Sequence, residues 1–153
     1  ALKENYFLDD GAYLVTRLLI ALAKCAKEGK DLMALISDLP EPREASEIRL
    51  KFVPGCDFKA FGAGLLKELQ EYVDKTPYLS PAPDNYEGVR INFDKDHGDG
   101  WALVRMSLHE PILPINVESN RSGGNQTIAK ELYALLSGYE SFLLTENLKN
   151  YIK

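Results

Sequence analysis

Arg105 and Ser107 stand two residues apart in the stretch Gly100-Trp-Ala-Leu-Val-Arg-Met-Ser-Leu-His-Glu-Pro111. On an extended strand, residues at that spacing project from the same face. An arginine offers a planar fork of N–H donors that fits a phosphate or a carboxylate. A serine adds a hydroxyl donor. The next residues, Leu108 to Glu110, bring successive backbone amides before Pro111 stops the turn, and such amides can form an anion nest. The chemistry on offer is the gripping of an anion. A salt-bridged arginine at a strand end, followed by a polar turn, would leave the same pattern.

Other residues offer less. Arg121 and Ser122 precede Gly123-Gly124 and fit either a second anion nest at a helix start or a plain cap. Asp94-Lys-Asp-His-Gly-Asp-Gly100 resembles a calcium loop superficially, but it lacks the EF-hand spacing and its closing Glu, so it reads as a hairpin turn. Trp101 reads as a core anchor and Arg90 as solvent-facing. Two histidines cannot by themselves make a case for a nucleophilic triad.

The elements that must position these groups follow from hydrophobic periodicity. Asp9 or Asp10 caps a helix running from Ala12 to about Cys25, and Gly29 closes it. Its apolar residues cover more than one face, so it expects cover on several sides. Lys30 to Asp38 reads as a short second helix. Pro40 and Pro42 then break the pattern and mark a boundary or hinge. Ile48, Leu50 and Phe52 alternate with Arg49 and Lys51 as a half-buried strand. Gly62 to Val73 reads as a helix, and Pro77, Pro81 and Pro83 punctuate a loop. Strands follow at 89–93, 101–106 and 112–117, then helices at 126–136 and 139–152. Short connections between the last three strands imply an antiparallel meander with helices on one face.

Composition narrows the classes. The chain has 153 residues, 18 Lys+Arg and 23 Asp+Glu, a formal charge of −5. That balance argues against general nucleic-acid binding, which needs many cations to neutralise phosphates. It leaves room for a small anion held by one local cluster. The apolar stretch from Ala12 to Cys25 is interrupted by Thr16, Arg17 and Lys24 and falls short of the ~20 residues a membrane span needs. Two cysteines, Cys25 and Cys56, are too few for a disulfide framework and read as reduced thiols. A cytoplasmic protein without a membrane partner is the expectation.

The stretch around Arg105 resembles the phosphate-binding loop of the α-D-phosphohexomutases, the phosphoglucomutase and phosphomannomutase superfamily. That loop is typically Arg-x-Ser-(Asn/Gly)-Thr-Glu-Pro, and Arg105, Ser107, Glu110 and Pro111 match it. Ile115-Asn-Val-Glu-Ser119 resembles the family's next strand. Tyr86-Glu-Gly-Val-Arg-Ile-Asn-Phe93 resembles its Asp-Gly-(Val/Ile) strand, and Phe7-Leu-Asp-Asp-Gly-Ala12 the end of its third domain. The pieces agree in order along nearly the whole chain. Leu108 and His109 depart from the pattern, standing where the family has Asn or Gly and then Thr. Pro114 stands where many members have another Arg.

The resemblance implies a division of labour. A full mutase has four domains around one cleft. The first carries a phosphoserine that donates a phosphoryl group, the second holds Mg²⁺, and the third reads sugar hydroxyls. The fourth grips the phosphate already on the sugar while a bisphosphorylated intermediate turns over. Nothing here resembles the serine loop, the metal loop or the sugar-reading loop. The implied fold is α+β: an antiparallel four-stranded sheet with helices on one face, preceded by helices from the end of an α/β domain. Residues 1–39 would end the third domain, 40–43 with Pro40 and Pro42 would be a hinge, and 44–153 would form the fourth domain. Arg105, Ser107, Leu108 and His109 would bind substrate phosphate, with His109 offering a ring N–H. No residue would be catalytic, and the Mg²⁺ ligands would lie outside this chain. The expected partners are a phosphosugar and the remaining domains of the same polypeptide. The competing expectation is a noncatalytic α+β interaction module that docks a partner on the helix at 12–25.

Overall fold

A computed structural model of the chain describes residues 3–6, 8–83 and 85–153. Phe7, the first residue of the Phe7–Ala12 resemblance, lies outside the described residues. The chain divides into two compact units, residues 1–40 and 41–153.

The first unit is built on α1, Gly11–Lys27. Asp10 caps it by accepting the Tyr13 N–H at 3.0 Å. At its far end Gly29 takes a positive φ of 69°. The Gly29 and Lys30 amides then donate back to the Ala26 and Cys25 carbonyls, which would otherwise be orphaned. The expected helix at 30–38 is instead a 3-10 turn, Leu32–Leu35, capped by Asp31. Pro40 leaves too short a run to repay helix nucleation. In α1 Cys25 is buried, whereas Leu14, Val15, Leu18, Leu19 and Ile20 each stay roughly half exposed.

The second unit begins with β1, Glu44–Phe52, and α2, Phe58–Lys75. The short β2, Leu79–Pro81, follows, then β3, Val89–Phe93, β4, Gly100–Val104, and β5, Ile112–Ser119. The chain continues through α3, Gly124–Leu136, β6, Leu143–Leu144, and α4, Glu146–Tyr151. The strands form one antiparallel sheet in the order β2-β3-β4-β5-β1-β6.

The fold is α+β with an antiparallel sheet, as expected, but the sheet has six strands rather than four. Both additions are edge strands. In the proline-punctuated segment, Leu79, Ser80 and Pro81 pair with Phe93, Asn92 and Ile91. At the other edge Leu143 and Leu144 pair with Phe52 and Lys51. The helix expected from 139 to 152 is thereby reduced to α4. Phe142-Leu-Leu-Thr145 supplies residues that suit a pleated edge, and the free side of β1 supplies unpaired backbone groups for them.

Alternation sets the two faces of the sheet. Ile48, Leu50, Phe52, Val89, Ile91, Phe93, Ala102, Val104, Leu113, Ile115 and Val117 point inward. They pack with Leu65, Leu69 and Val73 of α2 and with Ile128, Leu132 and Leu136 of α3 in one core. Each Val, Leu, Ile or Phe side chain among them contributes about 1.5–3 kcal/mol when taken out of water. The opposite face carries Glu47, Arg49, Arg90, Trp101, Leu103, Asn116 and Glu118, exposed or half-buried. Trp101 is therefore not the core anchor expected. Its ring lies under the Arg90 guanidinium, 4.3 Å from the ring centroid, and its indole N–H donates to Glu118 at 3.1 Å. Among the described residues no helix is long and apolar enough to cross a membrane.

Candidate anion-binding site

The β4–β5 ladder continues past β4. The Arg105 amide donates to the Pro114 carbonyl and the Ser107 amide to the Ile112 carbonyl, both at 3.2 Å. The chain therefore stays extended to Ser107, and residues 108–111 form the hairpin tip. Arg105 continues the open-face alternation of Trp101 and Leu103, and Ser107 follows it. Met106, between them, turns to the helix side and packs on the core. Gly62 of α2 makes room for it, because a Cβ at that position would overlap the Met106 sulfur. A helix glycine with no turn to make thus has a packing reason: it seats the residue that separates the two anion donors.

The loop is organised by Ser107. Its Oγ accepts the Glu110 N–H at 3.2 Å and the His109 N–H at 3.4 Å. Those two amides are thus turned inward onto the serine. The hydroxyl hydrogen remains available to donate, since both bonds use oxygen lone pairs. The Leu108 amide has no partner among the described residues, and the Leu108 side chain is exposed, as is His109. Of the four expected phosphate donors, the structure brings Arg105, the Ser107 hydroxyl and the Leu108 amide to one strand end. It commits the His109 amide to Ser107 and leaves its ring at the exposed tip.

Arg105 does not stand alone. Its Nη1 lies 3.5 Å from Oε1 of Glu87, just before β3. The strand-end salt bridge and the anion-binding geometry thus coexist on one side chain. The positive charge also reaches Glu47 on β1, whose carboxyl is held below its usual range mainly by Arg49 and Asn116, with Arg105 a smaller contributor. Sequence reasoning misses both Glu87 and Glu47. Neither carries a signal in the sequence: Glu87 precedes β3, and Glu47 lies on β1, which β5 separates from β4 in the sheet.

The second candidate nest, at Arg121 to Gly124, already holds an anion. Glu44 reaches across to accept the Gly123 N–H at 2.6 Å and the Asn125 N–H at 3.1 Å. Those bonds hold the Glu44 carboxyl below its ordinary range. Arg121 is turned away, donating to the Lys95 carbonyl and the Thr127 hydroxyl. The helix start is capped from within. The Asp-rich turn at 94–100 is likewise self-satisfied, with Asp94 accepting the Asp96 and His97 amides and facing the His97 ring at 2.6 Å.

No family model matches the chain. Among curated proteins, it is 28% identical over 128 residues to a phosphomannomutase/phosphoglucomutase of Pseudomonas putida, covering 83% of this chain and 24% of that protein. It is 29% identical over 135 residues to a phosphomannomutase/phosphoglucomutase of Pseudomonas syringae pv. tomato, covering 88% and 26%. The chain spans about a quarter of the length of the curated relatives it matches. Its fold is similar to that of a phosphoglucomutase/phosphomannomutase family protein from Burkholderia thailandensis, with a TM-score of 0.55 and 23% identity over 87% of this chain and 24% of that one. These similarities cover most of the chain and support its resemblance to the C-terminal region of the phosphohexomutase superfamily.

Proposed function

We propose that residues 44–153 form the substrate-phosphate-binding domain of a phosphohexomutase, an isomerase that interconverts hexose 1-phosphate and 6-phosphate through a bisphosphorylated intermediate. One observation carries the reading: the Arg105 fork, the Ser107 hydroxyl and the Leu108 amide, which has no partner among the described residues, lie together at one strand end. In this reading the phosphate already on the sugar takes the Arg105 fork and the Ser107 hydrogen, with the Leu108 amide as a third donor. The His109 ring closes the site from the loop tip. Each charge-assisted bond contributes about 1.5–3 kcal/mol. Binding the distal phosphate positions the reacting end of the sugar, so remote binding energy serves orientation.

The remaining domains of the full polypeptide supply the transferred phosphoryl group, and residues 40–43, with Pro40 and Pro42, serve as the hinge on which the phosphate domain swings. Residues 1–39 belong to the preceding domain, whose body covers the exposed apolar side chains of α1. In this reading the ligands of the family's Mg²⁺ lie outside this chain. The setting is cytoplasmic, and neither nucleic acid nor membrane is a partner.

Calorimetry with glucose 6-phosphate and with glucose tests the reading. The phosphorylated sugar is expected to bind weakly and the plain sugar not at all, with Arg105→Ala abolishing the heat. Equal binding of both sugars, or none of either, would contradict it. Turnover of a hexose 1-phosphate by this 153-residue chain would contradict the noncatalytic assignment.

The exposed apolar side chains of α1 favour a second reading, a noncatalytic module that docks another protein there. It predicts partner-dependent changes on α1 and no anion response at Arg105.

A further inference from the structure

Arg105 enters the site already paired. Its guanidinium lies 3.5 Å from the Glu87 carboxylate, with side-chain exposures of 30% for Arg105 and 71% for Glu87. That separation is an ion pair, but it is longer than the 2.7–2.9 Å of a committed charge-assisted hydrogen bond. The arginine is the more buried partner and the glutamate the exposed one. The stem of Arg105 is fixed by its backbone bond to Pro114 and by Gly88, which packs directly against it. Gly88 has a φ of 74°, and a Cβ there would overlap the Val104 carbonyl and come within 2.7 Å of the Arg105 Cβ. Asn85 braces the same turn by donating its side-chain amide to the Gly88 carbonyl at 3.1 Å. The turn at 85–88 is thus built tightly against the arginine, and it carries a carboxylate to the arginine's charged end.

We infer that Glu87 is the resident counter-ion of the anion site, which an incoming phosphate must displace, and that it sets both the affinity and the anion selectivity of Arg105. This rests on the phosphate-binding function proposed above. The other carboxylate within reach of the Arg105 charge, Glu47, is bound to Arg49 and Asn116 and is not free to compete. A carboxylate ligand gains nothing over Glu87, because it offers the fork the same monoanion. A phosphate dianion brings more charge and additional oxygens for the Ser107 hydroxyl and the Leu108 amide, so it can take the fork. Glu87 is therefore a positioning and specificity residue that acts through Arg105.

The test uses the 153-residue chain, with inorganic phosphate and acetate as probes, and follows the amide resonances of residues 105–110. Glu87→Gln is expected to bind phosphate about two- to fivefold more tightly, the range set by removing one exposed charge partner. Acetate is expected to gain at least as much, so the preference for phosphate narrows. In the wild type, the side-chain carboxyl carbon resonance of Glu87 is expected to move in step with the loop amides as phosphate saturates. Unchanged or weaker phosphate binding by a folded Glu87→Gln would overturn the inference. So would a static Glu87 carboxyl resonance while the loop titrates, a measurement that needs no variant to fold. Either result leaves the phosphate site itself standing. No loop response in either protein would overturn the inference and the phosphate-binding function together.

Discussion

Glu44, the first residue of β1, holds the start of α3 across 79 residues of chain, its carboxylate accepting the Gly123 N–H at 2.6 Å and the Asn125 N–H at 3.1 Å. A carboxylate at a helix N-terminus satisfies donors that the helix cannot pair itself and meets the positive end of its dipole. The contact also fastens the strand that leaves the 40–43 segment to the body of the second unit.

The pH dependence follows from the lowered Glu44 ionisation. The stabilisation is fully present above the ordinary glutamate value and is lost as pH falls through the lowered folded value. Urea unfolding at a series of acidic pH values should show this loss. Glu44→Gln should be less stable at neutral pH and should lose part of the acid dependence. Parallel acid profiles for the two proteins would contradict the assignment.

Tyr72 and Tyr78 both donate to Oε1 of Glu131 on α3, Tyr78 at 2.7 Å. Burial, ahead of the Glu131 hydrogen bond, raises the Tyr72 ionisation, and the bond to Glu131 raises that of Tyr78 most. Folding therefore protects both phenols from ionising. Their contribution is complete below the ordinary tyrosine value near 10 and declines as pH rises above it. Tyr78→Phe should cost about 1 kcal/mol at neutral pH and reduce the alkaline loss of stability, measured by denaturant unfolding between neutral and strongly alkaline pH.

Gly88→Ala combines a left-handed backbone position with an overlap against the Val104 carbonyl. It should cost about 1–3 kcal/mol. Because the same residue packs on Arg105, phosphate affinity should fall along with thermal stability. Gly64→Ala, where an added Cβ meets nothing within 4 Å, should leave affinity unchanged and gain up to about 1 kcal/mol from helix propensity.

How much of this is legible in the sequence differs by element. Ile48, Leu50 and Phe52, and Val89, Ile91 and Phe93, alternate cleanly because one sheet face is buried and the other open. Their strands can be read directly. The edge strands cannot. Leu79–Pro81 and Leu143–Leu144 are too short to show a period, and they exist because β3 and β1 offer unpaired backbone. The size of Trp101 suggests the core, whereas strand parity puts it on the open face under Arg90. Within the site, Arg105 and Ser107 are legible from spacing, and the loop they introduce from resemblance. Glu87, Gly88 and the Gly62–Met106 contact are not, since each depends on which strand or helix lies alongside. The occupied nest at Gly123 is equally hidden, because its anion comes from a residue far away in the chain.

Phosphate binding at residues 105–110 is the core of the proposed function. It is tested most directly by titrating inorganic phosphate into the wild-type chain and Arg105→Ala while following backbone amide shifts. Saturable shifts clustered from Arg105 to Glu110 are predicted in the wild type, with their loss in the variant. No saturable shift in that segment, or the same shifts in both proteins, would contradict it.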